Sequence, residues 1–226
     1  RLHTPMRPPR PRIGSATAPA SSITTRGTVI SYTASYGILV DTGTGSNLIE
    51  NNNVSYAGSS GIRLLNSTGV VARDNTCHHN SFHGMALQGS VNNQIIGNTL
   101  YANFSVTATT ANGLDVNGAS SDNLIKGNTA YQNEDSGFQV YNGSHRNTVV
   151  RNVSWGNGDH GFDTNKSIDT IYMSNSAYGN FKDGFSVEGK ATNTTLMNNI
   201  AVDNGLTTAE FDLFVDPNSS TVLIDD

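Results

Sequence analysis

Carboxylates and a histidine recur in this sequence at a spacing that would bring them together. Asp135 and Asp159 are 24 residues apart, His160 follows directly, and Asp163 comes three residues later. Carboxylates stacked about 5 Å apart repel one another, which raises their pKa values or recruits a cation, and such oxygen clusters suit Ca²⁺. We therefore predict that Asp135, Asp159 and Asp163 hold Ca²⁺ or neutralise a substrate carboxylate. His160 and Asp163 would transfer a proton, with Lys166 as helper.

Four more polar side chains are predicted to flank this site as substrate ligands. Asp115 and Asp163 occupy the same position of a repeat, two units apart, and Gln139 takes that position in the unit between them. Tyr141 and His145 follow on the adjoining strand and turn. The alternative is that all these residues are solvated surface groups, because acidic, amide and histidine side chains are common at turn edges.

A repeat of 23 to 24 residues must position these groups. Asn128 recurs as Asn152 and Tyr131 recurs as Trp155. Repeats of this length, with Asn in phase and short apolar alternations, predict a solenoid. One step is 29 residues long because of an insertion near Phe104–Ala111. Equivalent glycines mark the copies at Gly37, Gly61, Gly84, Gly113, Gly137, Gly161 and Gly184.

The apolar period defines the strands. After each glycine, the first and third residues are apolar and the second is mostly polar. Period two predicts a strand whose first and third side chains face the core and whose second faces outward. The predicted fold is all-β, a single-stranded right-handed parallel β-helix of about eight rungs. The second column comprises Leu39, Arg63, Ala86, Asp115, Gln139, Asp163 and Ser186.

Asparagine and aromatic residues form two further kinds of column. The pattern N-x4-N recurs, with Asn53 and Gly58 as a partial copy, and predicts amide ladders at tight turns. An aromatic column follows three residues after the first Asn, and we predict that it staples the rungs rather than stacks on sugars. The adjacent His78 and His79 are not predicted to bind a metal, because neighbouring strand residues face opposite sides. The aromatic column comprises Tyr56, His78, Tyr101, Tyr131, Trp155 and Tyr178.

Charge and composition limit the partners. The chain has 226 residues and a formal net charge of −5, but residues 27–226 carry 8 Lys and Arg against 18 Asp and Glu, a net of −10. An acidic body argues against nucleic acid. No apolar run approaches the roughly 18 residues of a membrane span. Residues 1–26, rich in Pro, Arg, Ala and Ser, are predicted to be a disordered leader or linker, and residues 27–226 a β-helix from a longer chain.

The repeat strings N-T-A-Y-Q-N…S-G-F…V and N-V-S-W-G-N-G-D-H-G-F-D-T-N resemble secreted, pectate-lyase-like β-helix enzymes, namely mannuronan C5-epimerase modules and family 9 pectate lyases. The resemblance covers residues 35–205. The string D-H-G-F-D, from Asp159 to Asp163, is similar to the calcium-binding string of the lyases, and Asp135 matches their additional carboxylate one rung earlier. The resemblance implies that His160 is an epimerase-like histidine. Ser186 stands where the lyases carry their basic Lys.

Together, the cluster and the resemblance predict a secreted or cell-surface enzyme of the lyase or C5-epimerase type. It would act as a monomer on an acidic polysaccharide, alginate or pectin-like, by removing the C5 proton of a uronate. β-Elimination or reprotonation would follow. Two alternatives stay open: a non-catalytic surface, adhesion or glycan-binding solenoid, and a phage or appendage fibre, which would require trimerisation.

Overall fold

The computed structural model describes residues 22–206 and 209–225, all of them in strands, turns or irregular segments. The predicted leader lies largely outside these residues. Its last part does not fit the prediction, because Thr24–Arg26 forms the first strand and pairs in parallel with Leu48–Glu50. The β-helix therefore begins before residue 27, the predicted boundary.

Three parallel sheets run along the molecule, and each turn of the chain adds one strand to each sheet. Sheet 1 contains β1 (Thr24–Arg26), β4 (Leu48–Glu50), β7 (Val71–Arg73), β10 (Gln94–Ile96), β13 (Leu124–Lys126), β16 (Thr148–Val150), β19 (Ile171–Met173), β22 (Thr195–Met197) and β25 (Leu223–Asp225). Sheet 2 contains β2 (Val29–Ser31), β5 (Asn53–Ser55), β8 (Thr76–His78), β11 (Thr99–Tyr101), β14 (Thr129–Tyr131), β17 (Val153–Trp155), β20 (Ser176–Tyr178) and β23 (Ile200–Val202). Sheet 3 contains β3 (Ile38–Asp41), β6 (Ile62–Leu65), β9 (Met85–Gln88), β12 (Leu114–Asn117), β15 (Phe138–Tyr141), β18 (Phe162–Asn165), β21 (Phe185–Glu188) and β24 (Leu213–Val215). The predicted parallel β-helix of about eight rungs is confirmed.

The core follows the predicted alternation on sheet 3. Ile62 and Leu64 of β6 lie in the hydrophobic core, as do the equivalent residues of the neighbouring strands. Phe138, Phe162 and Phe185 stack in this core with ring centroids 4.8 to 5.0 Å apart. The second column faces away from the core cluster, as predicted, but Asp115 and Asp163 in it are buried, both 2% exposed, which speaks against the alternative that they are solvated surface groups.

The glycine before each sheet 3 strand serves close packing of the rungs. A Cβ atom on Gly161 would lie 2.6 Å from the carbonyl oxygen of Gly184 and 2.8 Å from the side-chain nitrogen of Asn180. The φ angle of Gly161 is not in the left-handed region. The glycine column is therefore required by the space between rungs rather than by positive φ.

Buried asparagine ladders seal the turns, as predicted. In the ladder through Asn128 and Asn152, each amide nitrogen donates to the amide oxygen of the next rung over 2.9 to 3.0 Å, and that oxygen also accepts a backbone N–H. The partial copy was misplaced by one residue, because Asn52, not Asn53, donates to Asn75. A further ladder joins Asn93, Asn123 and Asn147. Each of its members lies five residues before an Asn of the predicted pattern.

The aromatic column lies on the outer face of sheet 2. Tyr101, Tyr131 and Trp155 stack face to face, with centroids 4.9 and 4.5 Å apart and ring planes within 2°. Each ring therefore covers the face of its neighbour, so that mainly ring edges reach the solvent. This geometry favours stapling of the rungs over sugar stacking, which needs an open ring face. Tyr56 is one residue out of register, since Ser55 is the residue that pairs with His78.

The predicted insertion is a loop between β11 and β12. Phe104 and Val106 are exposed at 57% and 83%. The loop is tied to the next rung, because Ser105 N donates to a Glu134 carboxylate oxygen over 2.9 Å and Asp135 N donates to the carbonyl of Ala111 over 3.2 Å. The insertion therefore lies beside Asp135, at the edge of sheet 3.

Candidate functional site

The predicted acid–histidine cluster forms on the outer side of sheet 3, around the turns that lead into β18 and β21. Asp163 lies in the middle of β18, where its side chain faces away from the core, and His160 lies two residues before that strand. Because the strands pair in register, Gln139 and Ser186 flank Asp163 in the neighbouring rungs. The repeat thus brings residues from successive turns of the chain to one place.

His160 lies among three carboxylates. Its Nδ1 is 3.2 Å from Oδ2 of Asp183, and its Nε2 is 3.5 Å from Oδ2 of Asp159. The backbone N–H of Asp183 also points at Nδ1, over 3.2 Å. A neutral imidazole accepts this N–H, whereas a protonated one can donate to the Asp183 carboxylate instead. His160 can therefore hold or release a proton without moving.

A chain of amide groups holds Asp163. The side-chain nitrogen of Gln139 donates to Oδ2 of Asp163 over 2.6 Å, and Asn112 donates to Gln139 over 3.0 Å. The other carboxylate oxygen, Oδ1, is buried and has no partner in the described part of the protein. An oxygen left in this way can take up a proton or accept one from a bound molecule.

Burial and the neighbouring charges set the protonation states. Burial lowers the pKa of His160, but the hydrogen bond to Asp183 and the charges of Asp163, Asp159 and Asp183 outweigh it, so that the pKa rises to about 9. Burial raises the pKa of Asp163 to about 7. Burial and the adjacent Asp159 charge also raise the pKa of Asp135. At neutral pH the cluster thus holds a protonated imidazole beside carboxyl groups near their midpoint.

Lys182 completes this cluster. Its Nζ lies 2.5 Å from Oδ1 of Asp159, and the hydrogen bond to Asp159 raises the pKa of the lysine. Lys182 and Asp159 are half-buried. The edge formed by Asp135, Asp159 and Lys182 therefore connects the buried His160 with the solvent.

A second histidine–carboxylate pair lies three rungs away on the same sheet. His83 Nε2 is 3.6 Å from Oδ2 of Asp115, and the N–H of Asn112 donates to His83 Nδ1 over 3.1 Å. Arg63 lies in the same column of sheet 3 as Asp115, and its guanidinium group donates to Gln88 and to the hydroxyl of Tyr36. Burial and the Arg63 charge lower the pKa of His83 to about 3. Burial raises the pKa of Asp115 to about 7, against the effects of Asn117 and Arg63.

Besides Asp115, three of the predicted site residues lie apart from His160. Lys166 follows β18 in a left-handed conformation, with φ of 52°, and its Nζ lies 5.6 Å from the ring centre of Tyr141. Lys166 also lines an open surface groove of about 550 Å³ together with Lys190 and Asp216. His145 lies in the turn after β15, where its Nδ1 faces the carbonyl of Gly143 at 3.1 Å. The structure therefore places Lys166 against Tyr141 and the groove.

Sequence reasoning placed Asp183 on the same flank as His160 but gave neither Asp183 nor His83 a role in the site. The signal for both was present, because His83, His160 and Asp183 share the position before the repeat glycine. The repeat pattern did not show that each histidine contacts the residue at the equivalent position one rung further on. This residue is Asn112 for His83 and Asp183 for His160. This pairing across rungs decides the charge of the imidazole.

The carboxylates of the cluster have few donor atoms left for a metal ion. Within residues 22–206 and 209–225, no three His, Cys, Asp or Glu side chains are arranged as metal ligands. Asp159 is already engaged by Lys182 and His160, and Asp163 by Gln139. These contacts do not form an oxygen cage of the kind that Ca²⁺ prefers. The same described segments contain no helix long and apolar enough to cross a membrane.

Comparison with protein families gives two matches. Residues 10–158 match the family described as periplasmic copper-binding protein (NosD). Residues 105–221 match the family described as right handed beta helix region. No curated protein matches the chain.

Several solved structures share the fold. The periplasmic alginate epimerase AlgG superposes with a TM-score of 0.67 at 18% identity, over 84% of this chain and 47% of that one. The mannuronan C-5 epimerase AlgE4 A-module of Azotobacter vinelandii gives 0.60 at 18%, over 84% and 60%. The pectate lyase Pel9A gives 0.57 at 17%, over 94% and 68%. The chain thus spans about half of the AlgG structure, and at this identity the likeness concerns the fold.

Proposed function

The chain belongs to the right-handed β-helix family and to the family described as periplasmic copper-binding protein (NosD), and on this basis we propose that it is an extracytoplasmic protein that acts on an acidic polysaccharide. The structural neighbours AlgG and the AlgE4 A-module are named as alginate or mannuronan epimerases, and Pel9A as a pectate lyase. The proposed reaction is removal of the C5 proton of a uronate, followed by epimerisation or β-elimination.

The observation that carries this proposal is the position of His160 between Asp159 and Asp183, next to Asp163. In this environment the His160 imidazole binds its proton more tightly than the Asp163 carboxyl group does, with a pKa of about 9 for His160 and about 7 for Asp163. Between these values an ionised carboxylate and a protonated imidazole coexist. A pair of this kind can supply both the base and the acid of one reaction.

The proposed chemistry uses Asp163 as base and His160 as acid. The unpartnered Oδ1 of Asp163 takes the C5 proton, and the positive charge of the protonated His160 stabilises the carbanion. In epimerisation, His160 returns a proton to the opposite face of C5. In elimination, the electron pair forms the C4–C5 double bond, the C4–O4 bond breaks, and His160 protonates the leaving oxygen.

The polymer is proposed to lie along the edge of sheet 3. Asp135, Asp159 and Lys182 are half-buried at this edge, so that they can meet a uronate from the solvent side. The exposed loop from Phe104 to Ala111 borders Asp135 and would form one wall of the binding site. Lys166 and Lys190, at the groove beyond β18, would attract the polymer's carboxylates.

An assay of the full chain on alginate and on polygalacturonate tests this function. Elimination is detected by the ultraviolet absorbance of the unsaturated product, and epimerisation by NMR of treated alginate. We expect one of these products and a bell-shaped rate profile with limbs near pH 7 and pH 9, from ionisation of Asp163 and His160.

The control is Asp163→Asn, whose amide oxygen can still accept the Gln139 hydrogen bond. Loss of product with this variant supports the assignment. Turnover equal to the unaltered protein would show that Asp163 is not the base, and no product from either substrate would overturn the proposed reaction. Ca²⁺ remains a prediction from the sequence, and addition of Ca²⁺ or a chelator to the same assay tests it.

One observation favours a second function, a non-catalytic glycan-binding or spacer solenoid. His160 and Asp163 are only 5% and 2% exposed, so that substrate access needs the edge to open. In this case the full chain binds alginate or pectin in a glycan array but forms no product, and Asp163→Asn leaves the binding unchanged.

A further inference from the structure

Three hydroxyl side chains lie inside the core of the turn that carries His160 and Asp163. Ser154, Thr164 and Tyr172 occupy core-facing positions of the consecutive strands β17, β18 and β19, and each is at most 1% exposed. The residues that pair with them in the two adjacent rungs are all apolar, namely Ala130 and Ala177, Val140 and Val187, and Val149 and Leu196. Polar groups therefore enter the core from all three sheets in the rung of the proposed acid and base.

Ser154 holds the backbone next to His160. Its hydroxyl donates to the carbonyl oxygen of Gly161 over 2.8 Å and accepts the side-chain N–H of Asn157 over 3.0 Å. The same carbonyl accepts the N–H of Phe138 from the preceding rung, over 3.1 Å. Because Gly161 directly follows His160, the turn that carries the imidazole is tied both to the core and to the neighbouring rung.

Thr164 and Tyr172 reach the backbone of Asp163 from the core side. Thr164 Oγ1 donates to the Tyr172 hydroxyl over 2.6 Å, and this hydroxyl donates to the carbonyl oxygen of Asp163 over 3.5 Å. The tyrosine ring packs edge-on against Phe162 and Phe185, with interplanar angles of 75° and 81°. The ring is therefore fixed, and its hydroxyl supports the strand whose Asp163 carboxylate faces away from the core.

The stability of the scaffold does not account for these hydroxyls. A hydroxyl taken from water costs free energy unless it is hydrogen-bonded, and replacing both partners of a bonded pair by apolar groups of the same shape is nearly neutral or stabilising. In the adjacent rungs, alanine, valine and leucine fill the same positions of the same fold. What the hydroxyls add is a hold on the backbone between Gly161 and Asp163.

We propose that Ser154, Thr164 and Tyr172 are positioning residues for the proposed reaction. They hold the strand from inside the core and so fix the base, Asp163, relative to the acid, His160. This inference rests on the proposed function, in which these two groups exchange protons with the sugar. A displacement of about 1 Å between reacting groups can lower a rate by about 100-fold. The three hydroxyls themselves lie in the core and touch no substrate.

The double variant Thr164→Val/Tyr172→Phe is the main test, because it removes the hydroxyl pair and keeps the shape of both side chains. We expect a Tm equal to or above that of the parent. On the responsive polysaccharide, kcat should fall by at least about tenfold with KM close to the parent value, since the contacts to the substrate remain. In an NMR titration of the full chain, the pKa of His160 should fall from about 9 by about half a unit or more, because its carboxylate neighbours are held less closely.

Three further variants separate positioning from packing. Ser154→Ala should lower kcat and the pKa of His160 in the same way, while Asn157 keeps its bond within the asparagine ladder. Thr164→Ser keeps the hydroxyl and should keep the parent values. Ile95→Val, in the core of sheet 1 three rungs from Tyr172, is the matched control. It should lower Tm slightly and leave kcat and the titration of His160 unchanged.

The outcomes distinguish this inference from the proposed reaction. Parent kcat and a parent titration of His160 in both the double variant and Ser154→Ala would overturn the positioning role and leave the reaction standing. If the parent turns over neither polysaccharide, the proposed reaction falls and the titration decides alone. A lowered pKa of His160 in the double variant then supports the hold of the hydroxyls on the cluster, and an unchanged pKa overturns it.

Discussion

His83 and His160 occupy the same position of the repeat, three rungs apart, and yet they differ in charge. In both, a backbone N–H points at Nδ1, over 3.1 and 3.2 Å, and Nε2 lies near a carboxylate, at 3.6 and 3.5 Å. The pKa of His83 is lowered to about 3 and that of His160 is raised to about 9. The backbone therefore fixes the position of each ring, and its neighbours in adjacent rungs fix its proton.

The two histidines differ in neighbours that come from other turns of the chain. Arg63, one rung before His83, opposes a positive charge on that ring, and Asn112, one rung after it, is neutral. Around His160 the equivalent later residue is Asp183, and Asp159 and Asp163 add negative charge. In a parallel β-helix every side chain has such neighbours one rung away, so single substitutions can change a proton affinity without changing the fold.

The largest difference between the two sites is expected in turnover. His160→Asn should reduce the rate on the responsive polysaccharide by at least about 100-fold, because the group that supplies the proton is lost. His83→Asn should change the rate only a few-fold. In both variants the Asn side-chain oxygen can accept the backbone N–H that points at Nδ1 of the ring. Equal losses in the two variants, measured with matched circular dichroism spectra, would remove the functional distinction between them.

Much of the scaffold could be predicted from the sequence, because its columns are set by local chemistry. The apolar alternation around Phe162 and the ladder through Asn152 depend on residues that recur in phase, and both were found. The burial of Asp163 could not be predicted, since period two indicates only the side of the strand. Asp163 is shielded from solvent by side chains in other rungs, such as Gln139.

The pair His78 and His79 shows a second limit. Strand alternation predicted opposite sides, but the strand ends at His78 and His79 has positive φ. A single left-handed residue at a strand end reverses the alternation for the residue that carries it. The residues that follow the equivalent strands are turn residues, which hinted at a turn after His78. Histidine itself, however, gives no reliable sign of positive φ.

The next largest effect is expected in the pKa values of the two histidines when the residues beside them, Asp183 and Asn112, are each replaced by the type found beside the other ring. Asp183→Asn removes the carboxylate beside His160 and should lower the pKa of His160 by about one unit or more. Asn112→Asp places a carboxylate at the equivalent position beside His83 and should raise the pKa of that ring. NMR titration of the imidazole Cε1–H signals gives both values. The comparison fails if neither pKa moves when the variants are folded.

The smallest effect is expected in the dependence of stability on pH, and its sign differs between the two histidines. The folded state holds the His160 proton more tightly than the unfolded chain, whose pKa is near 6.5, so this contribution to stability is present below pH 6.5 and is lost as the pH rises through about 9. For His83 the unfolded chain binds the proton more tightly, so its contribution grows from about pH 3 to pH 6.5. Raised carboxyl pKa values, as for Asp163 and Asp115, add a loss of stability between about pH 4 and pH 7.

Thermal unfolding of the two Asn variants separates these contributions. The parent should lose on the order of a few kcal/mol between about pH 6.5 and pH 9, equivalent to several degrees in Tm. His160→Asn should reduce this loss but move the loss that comes from Asp163 to higher pH, because the imidazolium charge that lowers the pKa of Asp163 is gone. His83→Asn should leave the alkaline limb unchanged and make stability fall more steeply between about pH 4 and pH 6.5, because the opposing His83 contribution is gone. Identical curves for the two variants would mean that the carboxylates around His160 do not hold its proton.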